Sequence, residues 1–567
     1  MIAEKIWKLQ NQKFPKTKLK GLKEQGFSLE MSKILLLKNL DTKEKIDSFL
    51  KCSLDHLHDP FLLPDIDKFL TRIKQAKENN EKILVYGDYD VDGTVAASIL
   101  TRALKHIEIT NIITLAPHRK YGYGLKEKII KGAKYQNVSL IITCDCGSGN
   151  VKEIEYANNL GIDVIVTDHH ETINNINPYA FINPKRDNSN YPFKELCGAG
   201  IVFKIIQALE KEYPDKIKAM RCLDYIAIAT VADVSPLIDE NRIIVKFGME
   251  KLSKTKNIPL LTMLKQLSLH GREFTSEMIG FIIGPRLNAP GRISAANITL
   301  KFLLSDDPVC CLRLFKKINE LNEKRKKVEA QIKENAVKML DNTIMDKVII
   351  LGSKQWHKGV IGIVASVISK FYTRPTILFS IDEHGNGYGS ARNIEEFDLL
   401  NALEKCKDLI KGYGGHAMAA GITIKEENIE AFRKRMNEIA EQTLTDESLI
   451  PYIKADLELN DKNINIGFVR ELEQLEPFGN CNEIPRFILK DVTISDFKQK
   501  DRHLNLRIVK GSKTFNAPGF WMDEYAQLIK EDNQEFDVLF ELNENVYEGN
   551  HYIQLVLEDM KEHKLDW

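Results

Sequence analysis

Short apolar runs alternate with amphipathic helical patterns along residues 83–235, and this alternation is the strongest constraint on the fold. The helical patterns occupy 94–107 and 151–161. Strands and helices that alternate in this way form an α/β domain with a mostly parallel sheet. The buried strands predicted for that sheet are ILVY (83–86), NIITLA (111–116), SLIIT (139–143) and DVIVT (163–167).

Further structure is predicted on both sides of this domain. A long amphipathic pattern over 306–343 predicts a connecting helix, and 344–425 is expected to form a second α/β lobe. Short strands separated by turns occupy 450–567, which favours a small β-barrel of the oligonucleotide-binding type, an OB-fold. A lead-in over 1–80 and a catalytic domain over 81–305 complete the expected organisation.

Composition indicates the number of domains and the cellular compartment, but it does not identify a binding partner. A chain of 567 residues is too long to fold around one hydrophobic core, so two to four domains are expected. Lys plus Arg equals Asp plus Glu, 80 against 80, so any basic surface must be local. The start MIAEKIWKLQ lacks the apolar run of a signal peptide, and the longest apolar stretch is too short to span a membrane. Nine scattered cysteines fit reduced thiols, so a cytoplasmic protein is expected.

Acidic and imidazole side chains follow three of the predicted strands. The carboxyl ends of parallel strands share one edge of a sheet, which is where α/β folds bind their ligands. Asp233, after the apolar run IAIATVA, is a fourth candidate strand end. The side chains at the first three ends are Asp88, Asp90, Asp92, Asp145, Asp168, His169 and His170.

So many acids at one edge indicate a metal site. A single Asp after a strand is usually a helix cap, but carboxylates crowded together repel one another unless a cation lies between them. Oxygen and imidazole ligands without thiolates suit hard divalent cations, so a pair of Mn²⁺ or Mg²⁺ ions is expected. Two such ions about 3.5–4 Å apart activate water and stabilise an in-line phosphoryl displacement.

The ordered motifs resemble one known family. GDYDVDG, TCDCG, TDHH and TVADVSPL are similar to the motifs of the DHH phosphoesterase superfamily. APHRKYGYGL, LCGAG, GPRLNAPGR and GYGGHAMAAG narrow the resemblance to the RecJ family of single-strand-specific 5′→3′ DNA exonucleases. The resemblance runs from about residue 59 to the C-terminus. It implies DHH and DHHA1 lobes joined by a helix, an OB-fold, and a monomer that digests single-stranded DNA in recombination and repair, with a helicase and single-strand-binding protein as partners.

The resemblance also implies roles for the clustered side chains. His170 would lie beside the attacking water or scissile phosphate, Asp168 would orient an imidazole, and Asp88 would be an outer ligand or an acceptor behind the ligands. Cys146 stands where RecJ proteins often have Asn, which affects hydrogen bonding around the ligands rather than the ligands themselves. The implied metal ligands are Asp90, Asp92, Asp145 as the bridge, His169 and Asp233.

Nucleic-acid contacts are expected elsewhere in the chain. The Gly-rich segments 388–393 and 413–421 let backbone N–H groups approach a phosphate. In the barrel, Phe515, Phe520 and Trp521 are candidates for base stacking, with core packing as the alternative. The run NEKRKK in the connecting helix is interpreted as a solvated face. The resemblance implies contacts to nucleic acid or its 5′ phosphate through Arg119, Tyr123, Arg286, Asn288, Arg292, Ser390, Arg392 and His416.

Three alternatives remain beside a metal-dependent exonuclease. A phosphoesterase acting on short oligoribonucleotides or cyclic dinucleotides would not need the barrel. A non-catalytic DNA-binding scaffold would have lost metal ligands, whereas every motif acid is present here. An unrelated α/β fold with acids as helix caps would have to produce several coincident acidic strand ends.

Overall fold

The computed structural model of the chain describes residues 5–10, 13–173, 175–340, 346–530 and 534–564. They form two compact units: a large unit, Ser53–Leu449, and a small unit that combines Met1–Cys52 with Ile450–Trp567. Within the described residues no helix has the length and apolar character needed to cross a membrane.

The chain begins in the small unit. Ser28 caps the second helix by accepting a hydrogen bond from Met31 N, and both its N–H and its hydroxyl donate to Glu471. The interval 1–80 is expected to be one lead-in, but the structure divides it. Its part Met1–Cys52 belongs to the same compact unit as the end of the chain. The elements are β1 (Ile6–Leu9), α1 (Lys16–Glu24), α2 (Leu29–Leu37) and α3 (Lys43–Leu50).

A parallel five-stranded sheet forms the first lobe of the large unit and confirms the predicted α/β class. Ile83 and Val85 pack into one core cluster, while Leu84 and Tyr86 pack into another, as the two-residue period of a strand buried on both faces requires. The elements are α4 (Ile66–Glu78), β2 (Lys82–Gly87), α5 (Val91–His106), β3 (Ile112–Leu115), α6 (Glu127–Tyr135), β4 (Val138–Cys144), α7 (Val151–Asn159), β5 (Asp163–Thr167) and β6 (Ala180–Ile182). The strand order is β3–β2–β4–β5–β6.

Helices complete this lobe and lead out of it. The apolar run before Asp233 is helix α9 rather than a further strand, so the expectation of a fourth strand end is wrong. The run is apolar on every side because almost every residue of the helix is buried. The helices are α8 (Gly198–Glu212), α9 (Leu223–Ala232), α10 (Asp239–Ser253), α11 (Ile258–Gln266), α12 (Gly284–Ile293), α13 (Asn297–Leu304) and α14 (Pro308–Leu340). The last corresponds to the expected connecting helix, whose residues 341–343 lie outside the described residues.

The second lobe has a mixed sheet, in which only β7 and β8 are parallel. Its final helix, with Phe432 and Met436 in the core, extends the lobe beyond the expected end at 425. The elements are β7 (Ile349–Ser353), α15 (Ile361–Tyr372), β8 (Thr376–Ile381), β9 (Asn386–Arg392), α16 (Leu399–Glu404), β10 (Ile410–His416), β11 (Ala419–Lys425) and α17 (Ile429–Thr443). The strand order is β10–β11–β9–β8–β7, so the Gly-rich segments are strands and a hairpin.

The rest of the small unit is a closed barrel, which confirms the predicted OB-fold. Pairing of β14 with β17 closes the ring, and β12 pairs in parallel with β1. Phe515 lies in the barrel core, so base stacking by this residue is ruled out, whereas Phe520 and Trp521 are exposed. The elements are β12 (Tyr452–Ala455), β13 (Leu457–Glu458), α18 (Ile466–Glu473), β14 (Arg486–Lys500), β15 (His503–Lys510), β16 (Lys513–Gly519), β17 (Glu535–Tyr547) and β18 (Asn550–Glu562).

Candidate metal centre and arginine cluster

Three acids stand side by side at the carboxyl edge of the first sheet. Asp88, Asp145 and Asp168 directly follow β2, β4 and β5, and all three are buried. The hydrogen-bond ladder continues one residue past each strand and so holds the acids in register. Its bonds run from Asp88 N to Cys144 O (3.2 Å), from Asp145 N to Thr167 O (3.0 Å) and from Asp168 N to Ile182 O (3.1 Å).

Two more acids come from the first turn of α5. Asp90 caps the helix by accepting from Gly93 N at 3.0 Å. Asp92 accepts from Gly198 N at 2.6 Å and Ala199 N at 2.8 Å, so the N-terminus of α8 fixes its carboxylate. A Cβ on Gly198 would lie 2.5 Å from the Cβ of Asp145, so only glycine permits this approach. This contact gives the LCGAG motif its physical role.

The two histidines are oriented by Asp168. Its carboxylate accepts from the backbone N–H groups of His169, His170 and Ser148, and lies 2.8 Å from His170 Nδ1. Burial alone would raise the pKa of Asp168, but the hydrogen bond and charge of His170 outweigh it and lower the pKa to about 2. Burial alone would lower the pKa of His170, but Asp168 raises it to about 9. The pair therefore favours a proton on the Nδ1 side of His170.

The structure brings all the predicted metal ligands together. Their ligand atoms form three overlapping groups, and within each group the atoms lie within 4.8 Å of one another. Asp145 and His169 each belong to two groups, so each of them lies between two neighbouring candidate sites for an ion. Asp233 joins from the C-terminal end of α9, where Ser235 Oγ donates to its carboxylate at 2.9 Å. The groups are Asp88–Asp90–Asp145, Asp92–His169–Asp233 and Asp145–His169–His170.

The chemistry of this cluster fits divalent cations. Asp88 Oδ1, Asp145 Oδ1 and His169 Nε2 are buried and have no hydrogen-bond partner among the described residues. The last two atoms lie 3.1 Å apart without forming a hydrogen bond, which brings two possible metal ligands together. Burial, and then the neighbouring carboxylates, raise the pKa of Asp88 and Asp145 well above the usual range. Cations between these atoms would supply the missing partners and offset the repulsion.

Four arginines form a second cluster in the large unit, the arginine cluster: Arg119, Arg292, Arg325 and Arg392. Arg292 is half-buried, and desolvation, followed by the charges of Arg119 and Arg325, lowers its pKa to about 10. Arg392 belongs to the same cluster and donates to Ser390 Oγ at 3.0 Å. These like charges repel one another, so an anion between them would stabilise the arrangement.

The N-terminus of α15 faces the same arginines. A Cβ on Gly362 in its first turn would lie 2.8 Å from Ser390 Oγ and 3.0 Å from Arg392 Nη2. The dipole of a helix favours negative charge at its start. The second lobe therefore adds a hydroxyl, a guanidinium and a helix N-terminus to the cluster, and a phosphate is the anion that suits them.

The remaining predicted nucleic-acid residues have other contacts. Asn288 Oδ1 accepts from Val91 N at 3.1 Å and so positions the first turn of α5. The Tyr123 hydroxyl lies 2.9 Å from His170 Nδ1, beside the metal centre rather than the arginines. Arg286 donates to Asn319 Oδ1 and the carbonyl of Ile282, and His416 is exposed at the end of β10.

Some residues near the arginines are absent from the sequence-based prediction. Arg325 lies in the run NEKRKK, whose interpretation as a wholly solvated face is wrong at this position, since only 11% of its side chain is exposed. A signal exists, because Arg325 falls between Leu321 and Val328 on the apolar stripe of α14. Lys358 also lies near Arg119, and its ammonium stands 3.5 Å from the ring centroid of Tyr388.

Cys146, for which the resemblance implies a departure from the family pattern, is fully buried beneath the metal centre. Its side chain belongs to the apolar cluster on one face of the first sheet, and burial raises the pKa of its thiol. The thiol therefore contributes packing below Asp145 rather than a ligand.

Comparison with known proteins places this arrangement in a class. Residues 82–230 match the DHH family, N-terminal domain, residues 341–442 match the DHHA1 domain, and residues 455–559 match the RecJ OB domain. The fold and the site together thus define a DHH/DHHA1 protein with an OB domain.

Individual relatives identify the family within that class. The chain is 35% identical to the single-stranded-DNA-specific exonuclease RecJ of Bacillus subtilis (strain 168), over 99% of this chain and 71% of the relative. Identity to the Haemophilus influenzae protein of the same name is 29%, over 93% of this chain and 95% of the relative. The crystal structure of RecJ with Mn²⁺ from Thermus thermophilus matches with a TM-score of 0.83 and 25% identity, over 99% and 80% of the two chains. The chain belongs to the RecJ family.

Asp233→Asn is expected to stabilise the metal-free protein much more at about pH 8 than at about pH 5. Burial and the charge of Asp92 raise the folded-state pKa of Asp233 to about 7, above the ~3.9 of an unfolded Asp. Protonation therefore favours the folded state fully only below the unfolded pKa of ~3.9, and this contribution is lost progressively as pH rises from there to about 7. Asn is neutral at both pH values and still accepts from Ser235. The melting temperature of the large unit after chelation is the measurement.

The matched control is Asp187→Asn, an exposed acid in the same lobe. It should leave the melting temperature unchanged at both pH values. An equal effect of Asp233→Asn at the two pH values would show that ionisation of Asp233 does not destabilise the metal-free site.

Proposed function

We propose that this protein is a divalent-metal-dependent exonuclease that degrades single-stranded DNA from its 5′ end to mononucleotides in recombination and repair. The observation that carries the proposal is the buried centre in which unpartnered carboxylate and imidazole atoms face one another. The RecJ relatives are named as single-stranded-DNA-specific exonucleases, and solved RecJ structures contain Mn²⁺ or Mg²⁺.

The residues of the metal centre would hold two cations in this proposal. Mn²⁺ or Mg²⁺ held there would supply an activated water molecule and would stabilise charge on the phosphate. Asp145 would be the bridge, which is supported by its place in two of the three ligand groups. Asp88 is a further ligand of the group that contains Asp90 and Asp145, supported by its unpartnered Oδ1. The remaining ligands are Asp90, Asp92, His169 and Asp233.

His170 acts on the scissile phosphate. Asp168 engages its Nδ1, which leaves Nε2 as the ring nitrogen available to substrate. The Asp168 carboxylate stabilises the protonated imidazole, so Nε2 donates to a phosphate oxygen. The Tyr123 hydroxyl, beside the same ring, restricts its rotation.

The arginine cluster binds the terminal 5′ phosphate. A terminal phosphate monoester carries up to two negative charges, whereas an internal diester carries one, so converging guanidiniums favour the end of a strand over its interior. Arg119, Arg292 and Arg325 come from the first lobe and the connecting helix, while Ser390 and Arg392 come from the second lobe. Binding the end in this way gives the 5′→3′ direction.

The barrel holds the distal part of the strand. Trp521 is 66% exposed, follows the exposed Phe520, and has the Arg502 guanidinium 5.1 Å from its ring centroid. Trp521 also adopts φ 62°, a left-handed conformation that bulky residues rarely occupy. Exposed aromatics beside a cation suit stacking on bases of any sequence. We assign this role to 450–567 and hydrolysis to 81–305. The segment 344–425, which the connecting helix 306–343 joins to 81–305, contributes Ser390 and Arg392 to the grip on phosphate.

Digestion of end-labelled substrates tests the function directly. Single- and double-stranded DNA and RNA are incubated with Mn²⁺, Mg²⁺ or chelator, and products are followed from each end. Mononucleotides released from the 5′ end of single-stranded DNA with either metal support the proposal. Products from the 3′ end, or equal activity in chelator, overturn it.

The working context is also a proposal. A helicase that exposes single strands and a single-strand-binding protein that coats them would supply the substrate, which reaches a monomeric enzyme in the cytoplasm. All nine cysteines are free thiols, and most of them are buried, which supports a reducing compartment.

Asp145→Asn is expected to lower the hydrolysis rate by more than about 1,000-fold, or about 4 kcal/mol in barrier, with either metal. A neutral bridge cannot hold two cations, while the arginines and the barrel still bind DNA. Rates on 5′-labelled single strands and DNA affinity are the measurements, and Asp187→Asn is the matched control. Activity within about tenfold of the control would contradict the bridging role.

Arg392→Gln and Arg325→Gln are each expected to reduce the preference for a 5′-phosphorylated strand over a 5′-hydroxyl strand by about tenfold, as for loss of a charged hydrogen bond. The measurement is the ratio of kcat/KM on the two substrates. Lys326→Gln is the matched control, because Lys326 is exposed on the same helix. An unchanged ratio in both variants would mean that the cluster does not recognise the strand end.

Trp521→Ala is expected to weaken binding of a long single strand by about fivefold or more, since stacking contributes about 1–3 kcal/mol per base. Binding of a strand of four nucleotides should change much less. The measurement is the dissociation constant for each length, with Phe371→Ala, an exposed aromatic in the large unit, as control. An equal loss for both lengths would assign Trp521 a structural role.

A further inference from the structure

Two acids of the metal centre, Asp92 and Asp233, belong to one ligand group although they come from different helices. Asp92 lies in the first turn of α5, and Asp233 follows the end of α9. Their like charges repel each other, so contacts with neighbouring groups have to keep them close together. Two fully buried side chains, Cys197 and Thr230, lie where these contacts meet.

Cys197 stands at the start of the helix that fixes Asp92. It is the N-cap of α8, and its Sγ accepts a hydrogen bond from Gly200 N at 3.3 Å. The two residues after it, Gly198 and Ala199, donate their N–H groups to the Asp92 carboxylate. The Cys197 side chain also forms a hydrogen bond with this carboxylate. A neutral thiol has one proton and a carboxylate only accepts, so the thiol is the donor to Asp92.

Thr230 connects the same thiol to the end of α9. Its Oγ1 lies 3.5 Å from Cys197 Sγ, and its carbonyl accepts from Ser235 N at 3.2 Å. Ser235 Oγ in turn donates to the Asp233 carboxylate at 2.9 Å. Because the thiol proton points to Asp92, the Thr230 hydroxyl is the donor to sulfur. A series of hydrogen bonds through Cys197, Thr230 and Ser235 therefore joins the two acids.

The turn that brings Ser235 back to α9 is strained at Val234, where φ is 58°. Glycine is the usual residue in this left-handed conformation, which is unfavourable for a β-branched side chain. Two hydrogen bonds close the turn, from Val234 N to Val231 O at 3.1 Å and from Ser235 N to Thr230 O at 3.2 Å. Strain of this kind persists where the surrounding structure fixes the conformation, and here the turn places a hydroxyl on Asp233.

We propose that Cys197 and Thr230 are positioning residues, which set the distance between Asp92 and Asp233 and thereby the affinity of this ligand group for its cation. The proposal rests on the function proposed above, because it requires a cation between these carboxylates. Without the thiol or the hydroxyl, the repulsion between the two acids would move them apart, and a cation would have to draw them together again when it binds. The cost of that movement lowers the affinity for the cation.

Binding of Mn²⁺ to the metal-free full chain tests the proposal, with free Mn²⁺ measured by electron paramagnetic resonance. Cys197→Ala removes the thiol, and Thr230→Val replaces the hydroxyl by a methyl group. Each variant should weaken binding of at least one ion by about tenfold or more, as when a residue behind a metal ligand is lost. Cys197→Ser keeps both a helix cap and a hydrogen-bond donor, so its affinity should stay within about threefold of wild type.

A matched control and a double variant separate positioning from folding. Cys406→Ala removes another fully buried thiol, in the core of the second lobe, and should lower the melting temperature without changing Mn²⁺ affinity. In the double variant Cys197→Ala/Thr230→Val, the loss of affinity should be smaller than the product of the two single losses, because both residues act through one contact.

Three results would overturn the proposal while wild type still binds Mn²⁺. The first is an affinity within about threefold of wild type in both Cys197→Ala and Thr230→Val. The second is equally weak binding by Cys197→Ser and Cys197→Ala, which would show that a cap and a donor at this position do not matter. The third is an equal loss in Cys406→Ala, which would make the effect one of general destabilisation. Wild type that binds no Mn²⁺ would instead contradict the proposed function, and this inference with it.

Discussion

Repulsion among buried carboxylates at one sheet edge is the constraint on which the rest of the large unit depends. Water cannot screen Asp88, Asp92 and Asp145, because all three are almost completely buried. The fold keeps them together by backbone means: a ladder that continues past each strand and a helix N-terminus that donates to one carboxylate. Divalent cations then convert an unfavourable cluster of anions into a binding site.

The same constraint explains why the surroundings are so closely packed. Gly198 approaches Asp145 where no side chain would fit, and Asn288 fixes the first turn of α5 from another helix. Asp168 stabilises the positive form of His170, which places a cation beside the acids even before metal binds. Each contact limits how far the ligands can move apart, and a reaction in which charge shifts within the site needs such rigidity.

Much of this arrangement could be predicted from sequence because it depends on local pattern. Buried parallel strands have short β-branched runs, so the strand ends and their acids were identifiable. Asp233 was assigned to a strand end because a helix buried on every side has the same apolar composition as a buried strand. Arg325 was missed because a basic run normally faces solvent, and its neighbours on the second lobe are distant in sequence. Packing of residues 1–52 with the barrel was not predictable either, since parallel pairing of β1 with β12 is a long-range contact.

That pairing has a consequence for synthesis of the protein on the ribosome. The large unit is one continuous segment and can fold as soon as it emerges, as domains generally do. The small unit is discontinuous, so Leu22, Met31 and Leu35, which are buried in the finished protein, have no complete core to enter until the last strands are made. Throughout translation these apolar side chains must stay exposed or be shielded by a chaperone. Nascent chains that stall within the barrel would therefore be more prone to aggregate than the isolated large unit.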